Sequence, residues 1–163
     1  YLAENIYKMI GAENGNREDN AVGTREVIKL MLDSLDIDCE GCMLNDGSGL
    51  SRRNLVTVEA VTKLLIAADS LDFARGFDTT LAIAGIDGTI ESRFENTIVE
   101  GNLIGKTGTL RNVSALSGYA MSLDGEKLVY SFIFNGNYVS RYKDTEEELA
   151  HLLTQFFYYN EEY

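Results

Sequence analysis

At residue 102 the apolar residues of this chain change their period, and that change constrains the fold more than any other feature. Before it the spacing is helical. Leu2, Ile6, Met9 and Ile10 recur on one face over residues 1–11, with Gly11 as a stop. Thr24 is a candidate N-cap for a helix reaching about Leu35, with Val27, Ile28, Met31, Leu32 and Leu35 as its stripe. Thr57-Val58-Glu59 opens a third helix, striped by Val61, Leu64, Leu65, Ala68 and Leu71. After residue 102 the period shortens to that of strands. "LIGKTGTL", "VSALSGYAMSL" and "KLVYSFIFNG" read as three consecutive strands, and Asp124-Gly125 between the last two is a hairpin signal. A last helix is expected from about Lys143 to Tyr159, with Leu149, Leu152, Leu153, Phe156 and Phe157 on its apolar face. Helices, then an antiparallel meander, then a helix predict an α+β fold with helices packed on an antiparallel sheet.

Between these elements lie connections. Residues 12–23 are polar and rich in Gly and Asn, residues 45–54 ("NDGSGLSRRN") are dense in turn formers, and 74–101 are mostly connection. Within the last, "AGIDGTIESRF" at 84–94 suggests a turn and a short helix. The chain of 163 residues, 45% hydrophobic and 25% charged, is long enough for one domain or part of a larger one. It shows no internal repeat, linker or low-complexity stretch. Its opening, "YLAENIYKMIG", is already an amphipathic helix without a Met or a lead-in, which predicts more chain upstream.

Charge and composition exclude several classes. A formal net charge of -12 argues against nucleic acid and against an anionic membrane surface. No apolar run approaches the roughly 18–20 residues of a membrane-spanning helix, and no basic-then-apolar leader is present. The two cysteines, Cys39 and Cys42, form a C-x-x-C in an acidic loop. Unpaired structural thiols, a local disulfide and thiol chemistry all fit that spacing. A zinc site needs further ligands, and the single histidine, His151, is far away in sequence.

The chemistry-bearing stretch is Lys106-Thr107-Gly108-Thr109. On an exposed strand edge it would let a peptide add as a further strand. Gly108 would allow close backbone approach, Lys106 would supply a charge with three donors, and the Thr hydroxyls would bind a carboxylate. The backbone N–H of Thr109 could face a developing oxyanion. K-T-G is one of three motifs of penicilloyl serine enzymes; the others are S-x-x-K and S-x-N. The S-x-x-K of this chain, Ser140 to Lys143, follows the K-T-G instead of preceding it, and no S-x-N occurs, since Ser51 to Asn54 is one residue too long. His151 lies beside an apolar stripe and is expected to pack.

Four stretches, "YLAENIYKMIG", "NDGSGLSRRNLVT", "AGIDGTIESRF" and "GKTGTLRNVSALSGYA", resemble in order the C-terminal part of the class C low-molecular-mass penicillin-binding proteins. These are the serine D-alanyl-D-alanine carboxypeptidase/endopeptidases of peptidoglycan metabolism. The resemblance implies that residues 1–163 are the C-terminal part of a transpeptidase-like domain, of the penicillin-binding-protein/β-lactamase fold, whose S-x-x-K and S-x-N lie upstream. It implies an extracytoplasmic enzyme that acts on peptidoglycan stem peptides, is inhibited by β-lactams, needs no metal or cofactor, and is inactive in this piece alone. Carried over, Lys106 and Thr107 shape the cleft electrostatics, Thr107 and Thr109 bind the terminal carboxylate, Gly108 permits approach, and the Thr109 N–H completes the oxyanion hole. Asp46 to Arg52, Asp87-Gly88-Thr89 and Arg93 are expected to be structural, the last four buttressing the K-T-G strand; Arg111 fits equally a residue facing an anionic substrate and a solvent-exposed turn charge. Where the family often has Pro before "AGxDGT", this chain reads Thr80-Leu81-Ala82. The competing readings are a non-catalytic peptidoglycan-peptide-binding module and a β-lactamase or esterase relative.

Overall fold

A computed structural model describes residues 2–14, 20–72 and 75–158 of the chain. They form two compact units that divide at Leu64/Leu65. The first holds helix α1 (Leu2–Asn14), helix α2 (Asn20–Ser34) and the start of helix α3 (Val58–Ser70). The second holds the rest of α3, a four-stranded sheet and helix α4 (Val139–Gln155).

In the N-terminal unit α1 and α2 pack together. Tyr7 is buried, and its hydroxyl donates to the Leu44 carbonyl at 2.5 Å. Thr24 is not an N-cap. The helix begins at Asn20, and Thr24 is fully buried inside it, its hydroxyl donating to the Tyr7 carbonyl of α1 at 2.5 Å. A β-branched hydroxyl is equally suited to an N-cap and to a helix–helix crossing, and burial decides for the crossing here. Gly11 does not stop α1 either: it is buried within a helix that reaches Asn14. Of the expected 12–23 loop, residues 12–14 and 20–23 are helical and residues 15–19 lie outside the described residues. Thr57 does cap α3, accepting the Ala60 N–H on its hydroxyl at 3.0 Å.

Cys39 and Cys42 are joined as a disulfide across a turn whose Gly41 has φ +80°. The loop that follows is organised by one carboxylate. Asp46 accepts from the N–H groups of Gly49 (3.0 Å) and Ser51 (2.9 Å), the Ser48 hydroxyl (3.0 Å) and the Asn54 amide (2.8 Å). Gly47 lies so close to α1 that a Cβ would sit 2.5 Å from the Ala3 carbonyl oxygen, and its N–H donates to Glu4 at 2.8 Å.

In the C-terminal unit the strands are β1 (Ala82–Ile83), β2 (Leu103–Leu110), β3 (Val113–Met121) and β4 (Lys127–Asn135), antiparallel in that order. The three long strands are those expected. β1 is an addition: two residues are too few to show a period. Leu103, Leu116, Ala120 and Tyr130 share one face by alternation and bury it with Ala150 of α4 and with Ile90, Phe94 and Val99. Gly105 and Gly118 are opposite each other, and the Tyr130 ring occupies the space they leave; a Cβ at Gly105 would overlap the Tyr130 hydroxyl, and one at Gly118 the Ile104 carbonyl. The other face carries Tyr119, whose hydroxyl donates to the Leu65 carbonyl of α3 at 2.7 Å, and Lys127, paired with Asp69.

α4 starts at Val139 and ends at Gln155, so Phe156 and Phe157 are not on its helical face. The chain turns extended at Phe156, whose carbonyl accepts the Leu123 N–H at 2.9 Å, and the Tyr158 N–H donates to Asp124 at 2.9 Å. Tyr159 lies outside the described residues. The fully buried Glu146 of α4 accepts from the Ser114 hydroxyl (2.7 Å) and from Arg93 (3.1 Å), and Arg93 also reaches Glu147 (2.8 Å) and the Lys143 carbonyl (3.2 Å).

Removing Glu146 leaves the buried Ser114 hydroxyl unpaired, while Arg93 keeps Glu147 as a carboxylate partner; an unsatisfied buried polar group costs roughly 1–3 kcal/mol. Glu146→Ala is therefore expected to lower the unfolding free energy of the chain by about that amount; a loss under roughly 1 kcal/mol in denaturant titration would show that the network contributes little. A second prediction concerns Asp46. Burial alone would raise its pKa, but donors from Asn54, Ser48, Ser51 and Gly49 outweigh it and hold the carboxyl below its ordinary value. Its contribution is then complete above the ordinary carboxylate range and is lost as pH falls through the lowered value. Asp46→Ala, or acidification well below the ordinary aspartate range so that the lowered value is passed, should speed amide exchange at Gly49 and Ser51 after correction for intrinsic rates. Undiminished protection would assign the loop's order to the Gly47–Glu4 contact.

Candidate functional site

β1 pairs with β2 only at Ile104 and Gly105, and the motif begins at the next residue. The Ala84 N–H donates to the Leu103 carbonyl at 2.9 Å, so the backbone polar groups of Leu103 point toward β1. In an antiparallel ladder those groups alternate sides residue by residue. The N–H and C=O groups of Gly105, Thr107 and Thr109 therefore point the same way, and for the two threonines β1 has already ended. Lys106 and Gly108 are instead paired through their backbones to β3, opposite Ser117 and Ala115.

The side chains alternate as well. Thr107 and Thr109 share the face that carries Leu103 and Leu116; Lys106 and Gly108 share the other. Lys106, Gly108 and Thr109 are exposed and Thr107 is half-buried. The Lys106 ammonium folds along the open edge and donates to the Thr107 carbonyl at 2.8 Å. The structure thus gathers a cation, two hydroxyls and an unpaired strand N–H along one short edge. Such a set can accept an extended peptide and hold a carboxylate and an oxyanion.

Gly108 differs from its neighbours Gly105 and Gly118. A Cβ there would meet only the Ala115 Cβ, at 3.5 Å, an ordinary contact, and its φ is not positive. The fold does not require glycine at 108. The requirement, if any, comes from outside the chain.

The turn over Gly88–Ile90 is built against this edge. Asp87 accepts the Ile83 N–H at 2.6 Å, Ile90 is fully buried, and Gly88 has φ +61° with a Cβ position 2.8 Å from the Ala82 Cβ. This turn brings the Thr89 hydroxyl to 2.8 Å from that of Thr107. The sequence expectation for Thr89 is a structural one, buttressing the K-T-G strand, and the turn-forming Asp87-Gly88 before it is the only local signal there. Arg93 acts at one remove: through Glu146 it fixes Ser114, the residue directly opposite Thr109 on β3. Ser114 and Glu146 were missed. Glu146 falls four residues before Ala150 in the buried stripe of α4, a position where a carboxylate needs a partner.

The other candidates lie elsewhere. Ser140 and Lys143 are in the first turn of α4; Ser140 is exposed, and no hydrogen bond joins the two among the described residues. His151 is half-buried on the same helix. Arg111 is exposed at the β2–β3 turn. The "DGSGLSRRN" loop belongs to the N-terminal unit. No helix among the described residues is long and apolar enough to cross a membrane.

Comparison with known proteins identifies the family and the fold. The D-Ala-D-Ala carboxypeptidase 3 (S13) family matches residues 1–156. A D-alanyl-D-alanine carboxypeptidase of Actinomadura sp. (strain R39) is 41% identical over 143 residues, 83% of this chain and 26% of the relative. The D-alanyl-D-alanine carboxypeptidase DacB of Haemophilus influenzae is 31% identical over 138 residues, 83% of this chain and 29% of the relative. The crystal structure of penicillin binding protein 4 (dacB) from Haemophilus influenzae superposes with a TM-score of 0.80 at 25% identity, covering 95% of this chain and 37% of that one. The chain therefore spans about a quarter to a third of the length of these relatives, and its α+β sheet architecture is theirs. With nearly its whole length matched, the chain belongs to the D-Ala-D-Ala carboxypeptidase 3 (S13) family.

Proposed function

We propose that residues 1–163 form the C-terminal part of the transpeptidase-like domain of a serine-type D-Ala-D-Ala carboxypeptidase/endopeptidase of peptidoglycan metabolism, and that they supply the wall binding the substrate's terminal carboxylate and oxyanion. The observation that carries this reading is the half-covered edge of β2, where Lys106, Thr107 and the Thr109 N–H lie together at the point where β1 stops. Membership of the D-Ala-D-Ala carboxypeptidase 3 (S13) family supports the reaction class.

In this scheme a Ser in an upstream S-x-x-K, deprotonated with the help of its Lys, attacks the carbonyl carbon between two D-Ala residues. A C–O bond forms, and the charge on the carbonyl oxygen meets the Thr109 N–H. The C–N bond then breaks, D-Ala leaves with a proton on its nitrogen, and water hydrolyses the acyl-enzyme. The stem peptide lies along β2 as an added strand. Thr107 and Thr109, on one face, hold its terminal carboxylate, and Lys106 contributes the positive charge. A β-lactam enters the same site and acylates the same Ser. The related Haemophilus protein is named for penicillin binding, which supports the inhibitor class. The same reading places the protein outside the cytoplasm, and the Cys39–Cys42 disulfide is suited to an oxidising compartment.

The test uses the complete protein that contains this chain, labelled with a penicillin, digested and analysed by mass spectrometry. The adduct is expected on a Ser upstream of Tyr1, and none on residues 1–163 expressed alone. No adduct would favour a non-catalytic peptide-binding module, and an adduct on Ser140 would reassign the nucleophile. Lys106→Ala should slow acylation by roughly 100- to 1,000-fold, the scale of one transition-state donor. Gly108→Ala should leave stability within about 1 kcal/mol, since its Cβ meets only an ordinary contact, yet slow acylation because the methyl lies where the peptide approaches. Acylation of Gly108→Ala at the native rate would remove the close-approach role.

A further inference from the structure

We propose that Thr89 is a specificity-determining residue of the carboxylate site, its hydroxyl paired with that of Thr107 so that the two act as one donor unit for a ligand carboxylate. The inference rests on the D-Ala-D-Ala reading above and extends it to a residue outside the K-T-G strand.

The argument starts from hydrogen-bond capacity. A Thr hydroxyl has one proton and two acceptor positions. Thr107 donates to Thr89 across 2.8 Å, so the proton usually assigned to the carboxylate is engaged within the chain. Thr89 is exposed and makes no other hydrogen bond among the described residues, so its own proton is the free one. If the two protons exchange roles, Thr107 faces outward while Thr89 donates to it. In both arrangements the pair ends in a single outward proton, strengthened by the hydrogen bond behind it.

Placement is the second observation. Thr89 is on a 3-10 turn held by buried Ile90, by Asp87 on the Ile83 N–H at 2.6 Å and by the Gly85 N–H on the Ile90 carbonyl at 3.0 Å. A hydroxyl carried on so constrained a turn, at the end of β1 and beside the open part of β2, is preorganised for a ligand entering along that edge. Lys106, on the opposite face of β2, supplies charge to the same edge but cannot supply this direction.

The experiment uses the complete protein and two boronic-acid inhibitors that both form a reversible bond to the nucleophilic Ser. One carries a carboxylate at the position of the penicillin carboxylate, and the other lacks it. Thr89→Val is expected to weaken the carboxylate-bearing inhibitor by roughly 10-fold or more, the scale of one hydrogen bond to a charged group. The inhibitor without a carboxylate should change less than about twofold, and Thr89→Ser should restore native affinity to within about twofold, because it restores the donor. Equal weakening of both inhibitors would overturn the proposal in favour of a packing role for Thr89; no change in either would make Thr89 a bystander. If the unmodified protein binds neither inhibitor and takes no penicillin, the failure lies with the D-Ala-D-Ala reading itself. If Lys106→Ala abolishes acylation while Thr89→Val keeps native selectivity between the inhibitors, that reading survives and the Thr89 proposal falls.

Discussion

A strand edge with unsatisfied N–H and C=O groups is a hazard for a folded protein, because any extended chain can pair with it. Here β1 covers two residues of β2 and then the chain turns away, leaving the next residues of β2 open. The rest of the site depends on that early stop. A longer β1 would pair the N–H and C=O of Thr107 and Thr109 and leave nothing to bind. The stop is built in: Gly88 takes φ +61°, Asp87 caps the end of β1, and Ile90 is drawn into the core. The open segment is short and carries Lys106, a charge that disfavours pairing with a second copy.

An open edge is useful only if it is held still. β2 receives its rigidity from β3 and, through β3, from α4. Gly105 and Gly118 let the two strands and the Tyr130 ring close together, and Glu146 ties Ser114 to Arg93 across the α4 interface. Ser114 is directly opposite Thr109, so this polar cluster lies on the strand next to the Thr109 N–H that we propose for the oxyanion. Buried charge of this kind is a poor way to gain stability and a good way to specify one arrangement. Its position suits that second purpose, since the orientation of α4 and of the 84–94 segment is defined at the point where the edge must be exact to fractions of an ångström.

The parts of this design that were legible in the sequence are those with a period. Helical stripes and strand alternation located α1, α2, α3, α4 and the three long strands, and Asp124-Gly125 located their last hairpin; Gly125 indeed has φ +86°. The misses share a physical cause: each depends on a partner distant in sequence. Two residues of β1 carry no period. Thr24 satisfies the local rule for a cap but is recruited by the Tyr7 carbonyl. Phe156 and Phe157 continue an apolar stripe, yet the chain leaves the helix because the 123–124 turn accepts it. The cysteine pair was ambiguous by spacing alone and is a disulfide in the fold. Of the site, Lys106 to Thr109 could be named from the sequence because the motif is contiguous. Thr89 could be named only as a buttress of that strand, because its pairing with Thr107 is a contact across 18 residues, and Ser114 could not be named at all, because its relevance comes from register.

The glycines make the same division between what the fold requires and what a ligand requires. Gly105 and Gly118 cannot accept a methyl group without displacing a carbonyl or the Tyr130 hydroxyl, and Gly88 needs its positive φ. Those positions are explained from inside the chain. Gly108 is not: its Cβ would fit, its backbone is ordinary extended strand, and glycine in a strand costs stability through lost packing and entropy. Glycine there lowers stability without easing any internal clash. The side chain it omits would project from the same face as Lys106, beside the only stretch of β2 that β1 leaves uncovered. Space, charge, an unpaired N–H and a free hydroxyl proton therefore occur together at one edge, and that coincidence, more than any single residue of the motif, is what a peptide with a terminal carboxylate would recognise.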